Sequence, residues 1–377
     1  MLILAAIIAI FIYGMIAAML GTILPELSDR FHLTPSQNGT IAFAQAFGLI
    51  VASLAAGPLL DNEGQKLGII LGLALIAIAL FVLPRAAGYL SIVFLLLLLG
   101  AGGGIMVTGA NALASDVGEA HRATALTLAN LFFGLGALAT PFVAANLFGR
   151  NWVRLCYTIA SLTVITVVIE ALTKMPAPTG ARRFVLADAA AVLGRPLLFM
   201  IGLFLFLYIT CEVGVWNWLP RHLIAQGIPE SRALNILSLG FALGILLGRT
   251  AVLPVLIRVP AVTVTLAGSI AMAVTTFLML RVKSASAAWV LVFLTGLSMA
   301  PVFPSTLGIV GDAFPRMTGT AIGFVITCGW IGLAVSSRII GAIAGGDPRR
   351  LKKALLVIPA SAVIMVGLDL AIKSNLR

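Results

Sequence analysis

Residues 208–220 read YITCEVGVWNWLP, and residues 13–25 read YGMIAAMLGTILP. Each stretch opens on a tyrosine and closes on Leu-Pro, and the two tyrosines lie 195 positions apart (208 − 13). The echo continues with a slip of one residue. Gly48 and Pro58 return as Gly244 and Pro254, and Gly100, Asp116 and Gly136 return as Gly296, Asp312 and Gly332, all 196 positions on. Near the ends of the two copies, Glu170 with Lys174 returns as Asp369 with Lys373, 199 positions on. Shared Ala or Leu would mean little in an apolar chain. Tyr, Pro, Asp and acid-then-base pairs are rare here, so their common register marks a duplicated bundle. Such repeats are a signature of transporters, whose solute site lies between the repeats.

Composition agrees with a bilayer as the solvent. The 377 residues are 61% hydrophobic and 10% charged, too few charges to cover so much apolar surface in water. The net charge of +11 is spread over short loops rather than gathered in a basic stripe, which points to anionic lipid headgroups and away from nucleic acid. Cys156, Cys211 and Cys328 fall inside apolar stretches and read as reduced packing residues. The first apolar run lacks a basic leader and continues past Gly21, which predicts a permanent first helix.

About 20 apolar residues cross a bilayer core. Runs of that length lie near 2–27, 37–60, 67–84, 88–113, 123–148 and 152–173, then 196–220, 231–257, 260–281, 286–311, 317–344 and 351–373. The fold predicted is an all-α membrane protein: twelve transmembrane helices in two six-helix bundles related by a pseudo-two-fold. The bundles are 1–173 and 196–377, joined by a cytoplasmic linker at 174–195 that begins KMPAPTGARR. With the even connections and the C-terminus placed inside, Lys and Arg divide almost equally between the two sides. The basic GGDPRRLKK stretch before the last helix causes this balance, and charge alone does not set the orientation.

Residues 57–66, GPLLDNEGQK, resemble the G-x-x-x-D-R-x-G-R-K signature of the major facilitator superfamily. Gly57, Asp61, Gly64 and Lys66 match, while Asn62 and Gln65 stand where the signature has bases. A small residue lets helices approach, a carboxylate at a helix end can hold a neighbouring helix N-terminus, and Gly turns the chain. Such contacts stabilise one of two gated states. Within the superfamily the chain resembles the fucose–galactose–glucose:proton symporters. The likeness is carried by GTILPEL at 21–27, the stretch 208–219, Gly248-Arg249, and Ala300-Pro301 with Pro304. It implies alternating access in a cytoplasmic (inner) membrane, with both termini inside and protons as the coupling ion. That branch is expected to carry carboxylates in the middle of helices 1 and 4, and here those positions hold none.

Glu212 stands out because it sits mid-helix with no base within one turn. A carboxylate there must face a cavity, find a partner or hold a proton, which makes it the candidate proton carrier. Tyr208, Glu212 and Trp216 are spaced by four and share a helix face, with Asn217 beside them. An aromatic plate with amides and acceptors is what pyranose recognition needs. Tyr13, Gln45, Asn130 and Trp330 lie mid-helix in helices 1, 2, 5 and 11, the walls of the cavity in this superfamily, and complete the predicted substrate set. The predicted gate comprises the signature residues with Asp116, Arg122, Asp312 and Arg316 in equivalent loops. Arg249 joins it, expected to pair with Asp312 or a helix C-terminus. Glu170 and Asp369 are expected to be satisfied by Lys174 and Lys373 one turn on, or by snorkelling.

No metal-ligand cluster, phosphate loop or nucleophile elbow is present, so the chain reads as no enzyme and as needing no cofactor. The predicted function is a secondary transporter of a small polar solute, preferably a monosaccharide, moved by proton symport or by facilitated diffusion and acting as a monomer in the bilayer. Two alternatives stand: an exporter of amphipathic compounds on the same fold, and a transport-dead membrane receptor that senses a solute.

Overall fold

The computed structural model describes residues 2–148, 151–175, 186–282, 284–344 and 348–376. Among the described residues, twelve helices are long and apolar enough to cross a membrane. They are α1 (Leu2–Phe31), α2 (Ser36–Glu63), α3 (Gln65–Arg85), α4 (Tyr89–Val117), α5 (Glu119–Ala144) and α6 (Trp152–Leu172). The second set is α7 (Pro196–Ala225), α8 (Glu230–Leu256), α9 (Ala261–Met279), α10 (Ala285–Ala313), α11 (Thr318–Ala344) and α12 (Arg350–Asn375). Large apolar side chains such as Phe43, Phe94, Phe142 and Val168 stand exposed, as suits a chain whose solvent is lipid. Of the expected linker, Leu186–Leu193 forms a short helix, and 176–185 lies outside the described residues.

Local sequence explains the helix ends. The Thr34 hydroxyl accepts the Gln37 N–H, the Gln37 side chain accepts the Thr34 N–H, and Pro35 occupies the first turn, giving a reciprocal cap before α2. Asn151 and Ser284 cap α6 and α10 in the same sense. The turn between α2 and α3 needs a positive φ of 87°, which Gly64 supplies without strain.

The duplication is visible in the packing. Pairs α2–α4, α3–α4, α3–α6 and α1–α6 recur as α8–α10, α9–α10, α9–α12 and α7–α12. Register is preserved at single residues. A Cβ on Gly48 would lie 3.0 Å from the Ala101 nitrogen, and one on Gly244 would lie 3.1 Å from the Leu297 nitrogen. Both positions allow backbones to touch, which side chains larger than hydrogen would prevent. Tyr13 packs over Gly103, and Tyr208 donates to the carbonyl of Met299 at 3.1 Å, again 196 positions along.

The one-residue slip has a structural cause. Pro35 and Glu230 open equivalent helices 195 apart, yet Gly48 and Gly244 are 196 apart. Between them, Ile236–Ala242 is wound as a π-helix, which accommodates one inserted residue without breaking α8.

Contacts group the chain into two compact units. One comprises 1–119, 129–193 and 314–327, and the other comprises 120–128, 194–313 and 328–377. Each unit therefore includes the first turns of one helix from the other half of the sequence, and those turns carry the first part of the candidate site.

Candidate functional site

In the first unit, the end of α2 grips the start of α11. Asp61 accepts the N–H of Gly319 on one oxygen at 2.9 Å and the N–H of Thr320 on the other at 2.8 Å. These are amides of the first helical turn, which have no partner within their own helix, and the carboxylate also meets the positive end of the helix dipole. Gly57 makes the approach feasible, since a Cβ there would lie 2.6 Å from Thr320 Cα. The rest of the signature braces this end. Lys66 donates to the carbonyls of Ala171 and Thr173 at 2.6 and 3.0 Å, capping the C-terminus of α6. Gln65 donates to Asp116 at 2.7 Å, so an amide serves at the position where the family signature has a base.

The second unit makes the corresponding contact differently. Ala123, in the first turns of α5, packs with Leu256 of α8 and Val264 of α9. Where the first half has Asp61, the second has Ile257, 196 positions on. Charge enters at the flank instead: the Arg122 Nε lies 3.1 Å from an Asp312 oxygen. Asp312 thus takes Arg122 as its electrostatic partner, in place of the expected Arg249, and Arg316 is exposed. The expectation drew the base for Asp312 from the same half of the sequence, whereas α5 brings one from the other half.

Arg249 is buried on α8 instead, 5% exposed. Its neighbour Gly248 lies against Leu297 and Ala300 of α10, and Met299 of the same stretch accepts from Tyr208. The Tyr208 hydroxyl also faces Glu212 and lies within electrostatic reach of Arg249. The mid-helix carboxylate that has no base nearby in sequence therefore shares its surroundings with a base from α8. Along the same face of α7, Trp216 is 37% exposed, with its ring edge-on to Phe241 at 5.2 Å. Asn217 beside it is exposed.

Of the remaining predicted substrate residues, Tyr13 is buried with its ring 5.6 Å from that of Phe133. Asn130 is buried and donates to Asn111 at 2.8 Å, while Asn111 donates to the Val107 carbonyl at 2.8 Å. Asn111 was missed by the sequence reading; an amide on the α4 face made of small residues was the available signal. Gln45 and Trp330 are half-buried on α2 and α11.

The two paired acids depart from expectation. Asp369 is 1% exposed and accepts from Thr265 at 2.9 Å and Ser269 at 3.1 Å, both on α9, rather than pairing with Lys373. Glu170 is fully buried and has Lys66 of α3 as its charged neighbour, rather than Lys174. Both carboxylates turn inward to a neighbouring helix, so i, i+4 spacing does not decide their partners.

A twelve-helix duplicated bundle, with a carboxylate-capped helix start and a mid-helix carboxylate near a buried arginine in one half, defines a membrane carrier. The Major Facilitator Superfamily profile matches residues 6–337, and the chain belongs to that family: it is a multi-pass secondary transporter, not an enzyme. It resembles the sugar-symporter branch. It is 23% identical to the glucose/mannose transporter GlcP of Bacillus subtilis (strain 168), over 96% of this chain and 92% of that one. It is 22% identical to the mouse sodium-dependent glucose transporter 1A, over 89% and 88% of the two chains. Crystal structures of FucP superpose with TM-scores of 0.86, in the outward conformation, and 0.84, described as the E. coli fucose:proton symporter. Each is 18% identical and covers 98% of both chains.

Proposed function

We propose that this protein carries a monosaccharide or a similar polar solute across the cytoplasmic membrane by alternating access, coupled to protons through Glu212. The observation that carries the reading is the α7 face, where Tyr208, Glu212 and Trp216 line up with the Arg249 side chain close by. Trp216 offers a plate to the apolar face of a sugar ring and Asn217 an amide to its hydroxyls. Tyr13, Gln45, Asn130 and Trp330 supply the remaining polar and aromatic contacts. Proton uptake at Glu212 would remove its charge beside Arg249, and that change of charge balance is the coupling step. The named activities of GlcP and the mouse carrier support glucose-like solutes as the first to test.

The halves 1–173 and 196–377, joined by 174–195, are the moving parts, and both termini face the cytoplasm in a monomer. The Asp61 cap on α11 and the Arg122–Asp312 pair act as the inner gate, made in one state and broken in the other. Gly57, Gly64, Lys66, Asp116, Arg249 and Arg316 support it. Labelled hexose uptake into proteoliposomes, with and without an inward proton gradient, tests the reading. Accumulation that needs the gradient supports it. Binding without uptake would favour a receptor, and efflux of lipophilic cations in place of hexose uptake would favour an exporter.

A further inference from the structure

In the second unit, an apolar groove ends at a basic corner. The groove, about 560 Å³ in volume, is walled by Val274, Phe277 and Leu278 of α9 and by Leu356, Pro359 and Val363 of α12. Its walls are open, with Phe277 38% and Val363 61% exposed. At its mouth the Arg281 guanidinium stands 4.3 Å from the centroid of the Phe277 ring. Lys352 and Lys353 are exposed on the turn that leads into the α12 wall. His222 of α7 ties the corner together, since it hydrogen-bonds the backbone of Leu280 and lies within electrostatic reach of Lys352. Arg281 and Lys352 thus come together through His222 at one end of a channel whose walls are hydrocarbon, with Lys353 next along the chain.

We propose that this corner and groove bind one anionic phospholipid, its phosphate on Arg281, Lys352 and Lys353 and one acyl chain between α9 and α12. The groove is lined by apolar side chains throughout, so an acyl chain is the occupant its chemistry suits. The lysines and the arginine then select the headgroup by charge. This gives the basic stretch before α12, which balances the loop charges of the two sides, a role of its own.

Native mass spectrometry tests the proposal on the full chain, purified in detergent and mixed with equal amounts of phosphatidylglycerol and phosphatidylcholine. The expected result is one retained phosphatidylglycerol in clear preference. Lys352→Gln with Lys353→Gln should lower that preference about twenty-fivefold, because each base near an anionic headgroup contributes roughly fivefold. Ala360→Trp, at an exposed position on the groove wall, should weaken lipid retention while leaving every charge in place. Both proteins must melt as the parent does in detergent, which their exposed positions favour. Equal retention of the two lipids by the parent chain overturns the site, as does a preference that survives loss of both lysines. If Ala360→Trp keeps the preference and millimolar inorganic phosphate displaces the lipid, the corner is a simple anion site and the groove half of the proposal falls.

Discussion

Asp61→Asn is the most direct test of the contact between α2 and α11. The carboxylate accepts two backbone N–H groups, at 2.9 and 2.8 Å, one on each oxygen. An amide keeps one acceptor oxygen, so one of these bonds is lost along with the charge. A hydrogen bond to a charged group contributes about 1.5–3 kcal/mol. Asp61 is half-buried, so the lower figure applies. The charge at the helix N-terminus adds about 0.5 kcal/mol. The loss is then about 2 kcal/mol, roughly a thirtyfold shift between the made and broken states. Hydrogen exchange reads this locally: the amides of Gly319 and Thr320 should exchange on the order of thirtyfold faster. In proteoliposomes the transport rate should fall more than equilibrium solute binding does, as the proposed gate role requires of a contact that biases states. Unchanged exchange at 319–320 would refute the latch. Equal losses in rate and binding would refute its role as a gate.

Further substitutions separate the remaining roles. Gly57→Ala places a methyl 2.6 Å from Thr320 Cα and should open the same contact with Asp61 intact, again read by exchange at 319–320. Glu212→Gln should abolish proton-driven accumulation while solute exchange across the membrane survives; a variant that still concentrates hexose would remove Glu212 from the coupling step. Trp216→Ala should instead weaken solute binding on the order of tenfold, measured by isothermal titration, with the response to a proton gradient retained. Asp369→Ala removes the acceptor of the Ser269 hydroxyl and leaves Thr265 only the Val262 carbonyl, and should cost about 1–3 kcal/mol, seen as a lower melting temperature in detergent. Asp369→Asn should recover part of that loss.

The fold was legible because the glycines that set helix spacing recur in the same register as the rare Tyr, Pro and Asp residues. Gly48, Gly244, Gly100 and Gly296 stand out against a background of Ala and Leu, and they are the positions where backbones touch. The slip from 195 to 196 was also visible, although only the structure shows that a π-turn at Ile236–Ala242 takes up the extra residue. Partners were much less legible. Arg122 and Asp312, Lys66 and Glu170, and Asp369 and Thr265 are each far apart in the chain, and i, i+4 spacing pointed Glu170 and Asp369 to Lys174 and Lys373 instead. The Asn111–Asn130 pair was half seen for a related reason: Asn111 stands in a glycine- and alanine-rich stretch that reads as packing surface.

The unlike contacts at the starts of α11 and α5 give the two copies different physical sensitivities. A carboxylate on backbone amides is a charge–dipole contact that weakens with ionic strength, whereas Ala123 on Leu256 and Val264 is a hydrocarbon contact that salting-out ions strengthen. Cooling separates them further, because burial of hydrocarbon loses driving force in the cold. Sulfate therefore loads the two contacts of an ancestral duplication in opposite directions, and cooling weakens the hydrocarbon contact by a separate route.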